Sequence, residues 1–118
     1  MSESNFKDLI VWNKSMDLVD SIYEFSESLP EREKFRIIDQ LLRAVVSIPL
    51  NIAEGHGRRT IGDFARFLSS ALGSCREVET LLLICERRGL GDEIQTLSNQ
   101  CEEIAKMLTV LIRKIRPS

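Results

Sequence analysis

Cations are not in surplus in this chain. Sixteen Lys and Arg stand against eighteen Asp and Glu, a formal net charge of −2 at pH 7, which excludes a protein coated in basic groups for nucleic acid or for an anionic membrane. Any anion-binding patch must be local. Cysteine is sparse too: Cys75, Cys85 and Cys101 are odd in number and show no C-x-x-C spacing. Neither a disulfide framework nor a structural zinc site is expected, and the thiols read as small buried hydrophobes. No stretch approaches the ~18 uninterrupted apolar residues of a membrane span. The first ten residues lack a basic start followed by an apolar run, so no membrane partner and a cytoplasmic location are expected. A phosphate-binding glycine loop, a nucleophile elbow and the H-E-x-x-H spacing are all missing. The lone histidine, His56 in Glu54-Gly55-His56-Gly57, reads as a turn residue rather than a general base partnered by Glu54. The expectation is a chain that is not an enzyme and holds neither metal nor cofactor.

Glycine and proline are few, six and three in 118 residues, and they fall where a 3.6-residue apolar period breaks off. Four helical segments remain between them. The first, about Lys7 to Ser28, carries Leu9, Trp12, Met16, Val19 and Tyr23 at spacings of three and four, with Val11, Leu18, Ile22 and Phe25 as a flanking row. Leu29-Pro30 ends it. The second opens after Pro30 and places Phe35, Ile38, Leu42, Val45 and Ile52 on one stripe before Gly55 and Gly57. In the third, Thr60 with Asp63 reads as a capping pair ahead of Phe64, Leu68, Ala71, Cys75, Val78, Leu82 and Cys85. The fourth repeats the pattern with Asp92 and Gln95, and runs through Ile94, Leu97, Cys101, Ile104, Leu108, Leu111 and Ile115. Connections this short make successive helices antiparallel neighbours. Residues 1–118 therefore form one all-α domain, an up-down-up-down antiparallel four-helix bundle.

The second helix is richer in apolar residues than a bundle wall requires. Leu41 to Ala53 holds nine apolar side chains, one proline and one charge, and at ~100° per residue the apolar positions cover roughly 240° of its surface. Pro49 cannot donate to the Val45 carbonyl, so a kink is expected at Pro49. Val46, Pro49 and Leu50 on this surplus face are the candidate oligomer surface. Gly73-Ser74, inside the third helix, suggests a close packing approach there.

Two polar rows keep helical spacing. Gln40, Arg43, Ser47, Asn51 and Glu54 lie along the second helix, and Asp63, Arg66, Ser70, Ser74 and Glu77 along the third. An antiparallel hairpin sets Arg43 level with Glu77, Ser47 with Ser74, Asn51 with Ser70 and Glu54 with Arg66. These rows read either as a solvated face or as a polar interface network. Charge is unevenly spread, with residues 1–31 at −5, 32–91 at +3 and 92–118 at zero. Bundle topology gathers Arg58 and Arg59 at the end where Arg113, Lys114 and Arg116 finish the chain, with Lys7 nearby. Together with Arg66 these are the candidate nucleic-acid rim, a solvated dipole-compatible cluster in one subunit but a repeated one in a symmetric ring.

Three blocks carry a family resemblance: Phe6-Lys7-Asp8-Leu9-Ile10-Val11-Trp12; the run from Gln40 to Gly55, which reads Q-x-x-R-A-x-x-S-I-P-x-N-I-A-E-G; and Phe67-Leu68 to Gly73-Ser74 with Glu77. Their order and content resemble the four-helix bundle proteins of the 23S rRNA intervening-sequence family. The resemblance implies a small cytosolic bacterial protein, without enzymatic activity, that assembles as a homopentameric ring. Relatives in diversity-generating retroelements, the accessory variability proteins, bind nucleic acid and the element's reverse transcriptase. What the resemblance implies for partners is thus RNA or DNA at the rim, or a protein such as a reverse transcriptase; the alternative is a protein-interaction module that binds no nucleic acid.

Overall fold

A computed structural model describes residues 5–116, and among them every regular element is helical. The four main helices are α1 (Ile10–Glu27), α2 (Asp39–His56), α3 (Ile61–Arg87) and α4 (Ile94–Ile115). They pack as a rod of 45 × 23 × 19 Å. Contacts run in ascending order along α2 and descending order along α3, from Gln40 beside Glu77 through Ser47 beside Ser74, which makes that pair antiparallel. Lys14 beside Glu103, with Leu9 near Met107 and Phe25 near Leu97, sets α1 antiparallel to α4. The expected four-helix bundle is the one observed.

The first helix starts later than its periodicity suggests. Residues Phe6–Asp8 form a 3₁₀ turn closed by a capping box between Asn5 and Asp8, and α1 begins at Ile10. Its two apolar rows also exchange roles. Val11, Leu18, Ile22 and Phe25 are buried, whereas Met16 and Tyr23 of the row expected to lead are exposed. The inward row contains Ser15, fully buried, whose hydroxyl donates to the Trp12 carbonyl at 2.7 Å. That local bond lets a serine sit among leucines without an orphaned donor.

Between Pro30 and α2 the chain makes a 3₁₀ turn, Glu31–Glu33, and then a π-helical turn, Lys34–Ile38. The Asp39 N–H bonds back to the Lys34 carbonyl, and this wider turn inserts a residue into the helical period. Phe35, expected on the core stripe, is consequently turned outward and is 81% exposed. From Asp39 helix α2 runs to His56 with Pro49 inside it, and Pro49 is itself buried.

Thr60 caps α3 as expected, its hydroxyl accepting from the Asp63 N–H at 3.1 Å. The helix ends at Gly89 in a Schellman turn, with the Leu90 N–H reaching the Cys85 carbonyl at 2.8 Å and Gly89 at φ +69. The capping pair expected at Asp92 and Gln95 does not form. Glu93, at φ 62, occupies the cap position without a side-chain bond, and Gln95 donates to Asn99 instead. Gly91, at φ +76, presses on the Phe25 ring, and this left-handed entry delivers the chain into α4 after Asp92.

One continuous core joins all four helices, with Leu18, Ile22, Leu41, Val45, Ile48, Ile52, Leu68, Leu82, Ile104 and Leu108 at or near zero exposure. Close approach of α2 and α3 depends on Gly55: a Cβ there would stand 2.6 Å from the Phe67 Cβ and 3.3 Å from the Phe64 carbonyl oxygen. Gly73 makes no such approach. Its missing Cβ points into open space, which corrects the packing role expected for it.

Candidate interaction surfaces

The apolar surplus of α2 is divided between the core and the surface. Leu41, Ala44, Val45, Ile48, Pro49 and Ile52 are buried by the chain's own helices, Leu42 and Val46 are half-buried, and Leu50 is 62% exposed. Of the candidate oligomer residues, Leu50 and Val46 thus reach the surface, while Pro49 forms a floor beneath them. It is buried because the arc of α2 centred on Ile48 faces the core. Beside Leu50 and Val46 runs a groove of about 370 Å³ between α1 and α2, and its lining of Phe6, Trp12, Met16, Val19, Val46, Pro49, Leu50 and Ala53 is wholly apolar in residue type. Phe6 stacks edge-on against Trp12 at 5.2 Å and closes one end. The other end opens towards Tyr23, Leu42 and Arg43.

The polar rows of α2 and α3 do meet, though only in part as expected. The Gln40 amide donates to the Glu77 carboxylate at 3.4 Å, and the Ser47 and Ser74 hydroxyls lie 2.5 Å apart. Ser47 has a single proton and sits 2.7 Å from the Ala44 carbonyl, so Ser74 is the donor of the cross-helix bond. Asn51 turns to the Ser47 carbonyl at 2.8 Å rather than to Ser70. Glu54 pairs with Arg58 at 2.7 Å, and Arg66 with Asp63 at 3.4 Å, in place of the expected Glu54–Arg66 contact. Partners one helical turn away in sequence are already within reach, so they win over partners on the neighbouring helix. Arg43 is exposed and makes no ion pair among the described residues, at the edge of a cleft of about 450 Å³ that also holds Phe35, Asp39 and Glu77.

At the end of the rod where α2 turns into α3, the Arg58 and Arg66 guanidinium groups lie 4.8 and 4.7 Å from the centre of the Phe67 ring. This cluster was not legible in sequence, because it forms only where the turn between α2 and α3 brings Arg58 and Arg66 to the same ring. Each guanidinium is matched by a carboxylate, Glu54 or Asp63, so the local positive potential is reduced. Arg59, Arg113, Lys114 and Arg116 are exposed and make no ion pair among the described residues. The antiparallel order of α3 and α4 puts Arg113, Lys114 and Arg116 at the same end as Arg58 and Arg59, and no ion pair joins the two groups among the described residues. His56, last in α2, stands edge-on to Phe64 at 5.8 Å.

The three thiols are buried, as their spacing indicates. Burial pushes Cys75 and Cys101 up to about 12 and raises Cys85 as well, because an apolar surrounding disfavours the thiolate. They are poor nucleophiles. Among the described residues no group of three or more His, Cys, Asp or Glu is arranged to hold a metal ion, and no helix is long and apolar enough to cross a membrane.

The model of a family described as 23S rRNA-intervening sequence protein matches residues 7–110. Among solved structures, the chain is similar to a crystal structure from Bacteroides thetaiotaomicron, of a protein with unknown function from the S23 ribosomal protein family. Sequence identity is 29% and the TM-score 0.81, over 88% of this chain and 96% of that one. A comparison with curated proteins finds no match.

Proposed function

Because this chain belongs to the 23S rRNA-intervening sequence protein family, we propose that it acts as a non-enzymatic cytoplasmic scaffold whose copies assemble through the α1–α2 face into a ring of five. The number five comes from the family resemblance. The observation that carries assembly is the groove beside Leu50, an apolar surface left open by the chain's own four helices. Covering a side chain such as Leu50 is worth about 1.5–3 kcal/mol, and a ring repeats that gain at every joint.

Assembly also gives the basic end a purpose. In a ring, Arg59, Arg113, Lys114 and Arg116 recur around one rim, with the Arg58–Phe67–Arg66 cluster beside them, and the summed field attracts an RNA or DNA backbone that a lone subunit would hold weakly. In this reading the chain is related in role to the accessory variability proteins of diversity-generating retroelements. The test is light scattering of the native chain followed by titration with RNA and single-stranded DNA at two salt concentrations. Expected are a five-chain mass, affinity that falls steeply with salt, and loss of binding in Arg59→Glu/Arg113→Glu. No binding at low salt would remove the rim from the account.

A second reading, a protein-interaction scaffold with no nucleic-acid role, is favoured by Glu54 and Asp63, which neutralise two of the six rim cations. A protein partner such as a reverse transcriptase, bound equally well after nuclease treatment and by the Arg59→Glu/Arg113→Glu variant, would select it.

A further inference from the structure

A chain that assembles head to tail needs two different surfaces, one to present and one to receive. The α1–α2 groove is flanked by carboxylates. Met16, Asp20, Tyr23 and Glu27 follow one another at helical spacing along the exposed side of α1, and Asp39 lines the open end of the groove. Asp20, Glu27 and Asp39 make no ion pair among the described residues and outnumber Arg43, the one cation lining the open end of the groove, so this face combines exposed apolar groups with a net negative charge.

A second apolar cleft lies elsewhere on the rod. It has a volume of about 540 Å³ and runs between the start of α1 and the last turns of α4. Ile10, 67% exposed, stands on one bank, and Val110, 52% exposed, on the other. Lys106, Val110 and Lys114 succeed one another at intervals of four residues, so two cations bracket the apolar centre of the α4 bank. Neither lysine has an ion-pair partner among the described residues. The one acid in the lining, Asp8, keeps its charge while its carboxylate accepts the Asn5 N–H in the capping box, and the two lysines outnumber it. This cleft is therefore apolar with a net positive charge, the complement of the first face.

We propose that the α1–α4 cleft, bounded by Ile10, Val110 and Lys106, is the receiving surface for the α1–α2 face of a second copy of this chain. The choice of a second copy rests on that complementarity: apolar groups meet apolar groups while the lysines meet Asp20, Glu27 and Asp39, and like surfaces repel each other. The inference depends on the assembly reading above and adds the missing half of the joint. A heterologous contact of this kind closes into a ring when its rotation permits.

The experiment uses three variants of the full chain, Leu50→Glu on the presenting face, and Val110→Glu and Ile10→Glu on opposite banks of the receiving cleft. Their helicity is compared with the native chain by circular dichroism, and mass is measured alone and in equimolar mixtures. Ile10 opens a helix, where a carboxylate is tolerated, so it keeps the test decisive if Val110→Glu folds poorly. Expected are single chains for each variant alone and a two-chain species when Leu50→Glu is mixed with either cleft variant, since such a mixture retains one intact joint. Cleft variants that assemble as the native chain does would overturn this inference and leave the groove reading standing. A mixture that stays single-chain would overturn it too. Assembly of Leu50→Glu at native mass would overturn the groove reading itself.

Discussion

Helices α2 and α4 use the same kinds of side chain to different ends. In α4 the main apolar seam is one stripe wide, and Ile94, Leu97, Cys101, Ile104 and Leu108 are all buried by the chain's own neighbours, with Val110 standing outside that seam on the bank of the α1–α4 cleft. In α2 the apolar arc is wider than the core it faces. The chain buries the part around Val45, Ile48 and Ile52 and leaves Leu50 exposed, with Val46 and Leu42 half-covered. A stripe that matches its core stabilises the fold, and apolar surface beyond that width is available to stabilise contact with another molecule.

The sharpest way to break the comparison is to truncate one leucine in each helix. Leu108→Ala should lower folding stability by about 2–5 kcal/mol, since it opens a cavity in a closed core. Leu50→Ala should cost less than about 1 kcal/mol of folding stability and weaken self-association instead. Denaturant unfolding monitored by circular dichroism, beside sedimentation of the same samples, separates the two effects. If both variants lost folding stability equally, α2 would have no surplus.

Next in size is the close crossing that holds α2 against α3. Gly55→Ala forces a Cβ against Phe67 and the Phe64 backbone, and should cost about 1–3 kcal/mol as an overpacked contact, read as a fall in melting temperature. Gly73→Ala is the matched control in α3. With open space around it, it should raise stability by up to ~1 kcal/mol through helix propensity.

The smallest effect at neutral pH belongs to the thiols of the α3–α4 core. Cys75 and Cys101 are raised from 9.0 to about 12 in the folded chain. Their protonated forms therefore favour the native state fully below pH 9, and that contribution is lost as pH rises from 9 through about 12. Stability should be flat across neutral pH and fall above that threshold, and alkylation of the native chain at pH 8 should be far slower than in denaturant. Equal alkylation rates in the two conditions would show that the α3–α4 seam is open.

The helices, their order and the α3 and α4 seams were legible in the sequence because each has a single apolar stripe. In α1 two rows compete, and only the local bond of Ser15 to the Trp12 carbonyl shows why the row containing a serine faces inward. Phe35 was misplaced because a π turn shifts the helical phase, and no residue pattern announced that turn. The level of the polar pairs between α2 and α3 was legible for Ser47 and Ser74. The partners of Glu54 and Arg66 were not, because nearby carboxylates and guanidinium groups satisfy one another first. The Arg58–Phe67–Arg66 cluster and the α1–α4 cleft arise from helices meeting, and neither leaves a mark on any single segment.

Sedimentation velocity of the native chain, on dilution through the micromolar range, tests most directly whether the uncovered side of α2 meets another copy. A discrete multiple of 13.5 kDa is expected for the native chain, and a folded single chain for Leu50→Glu. A native chain that sediments as a stable, non-aggregating single chain throughout that range would contradict it.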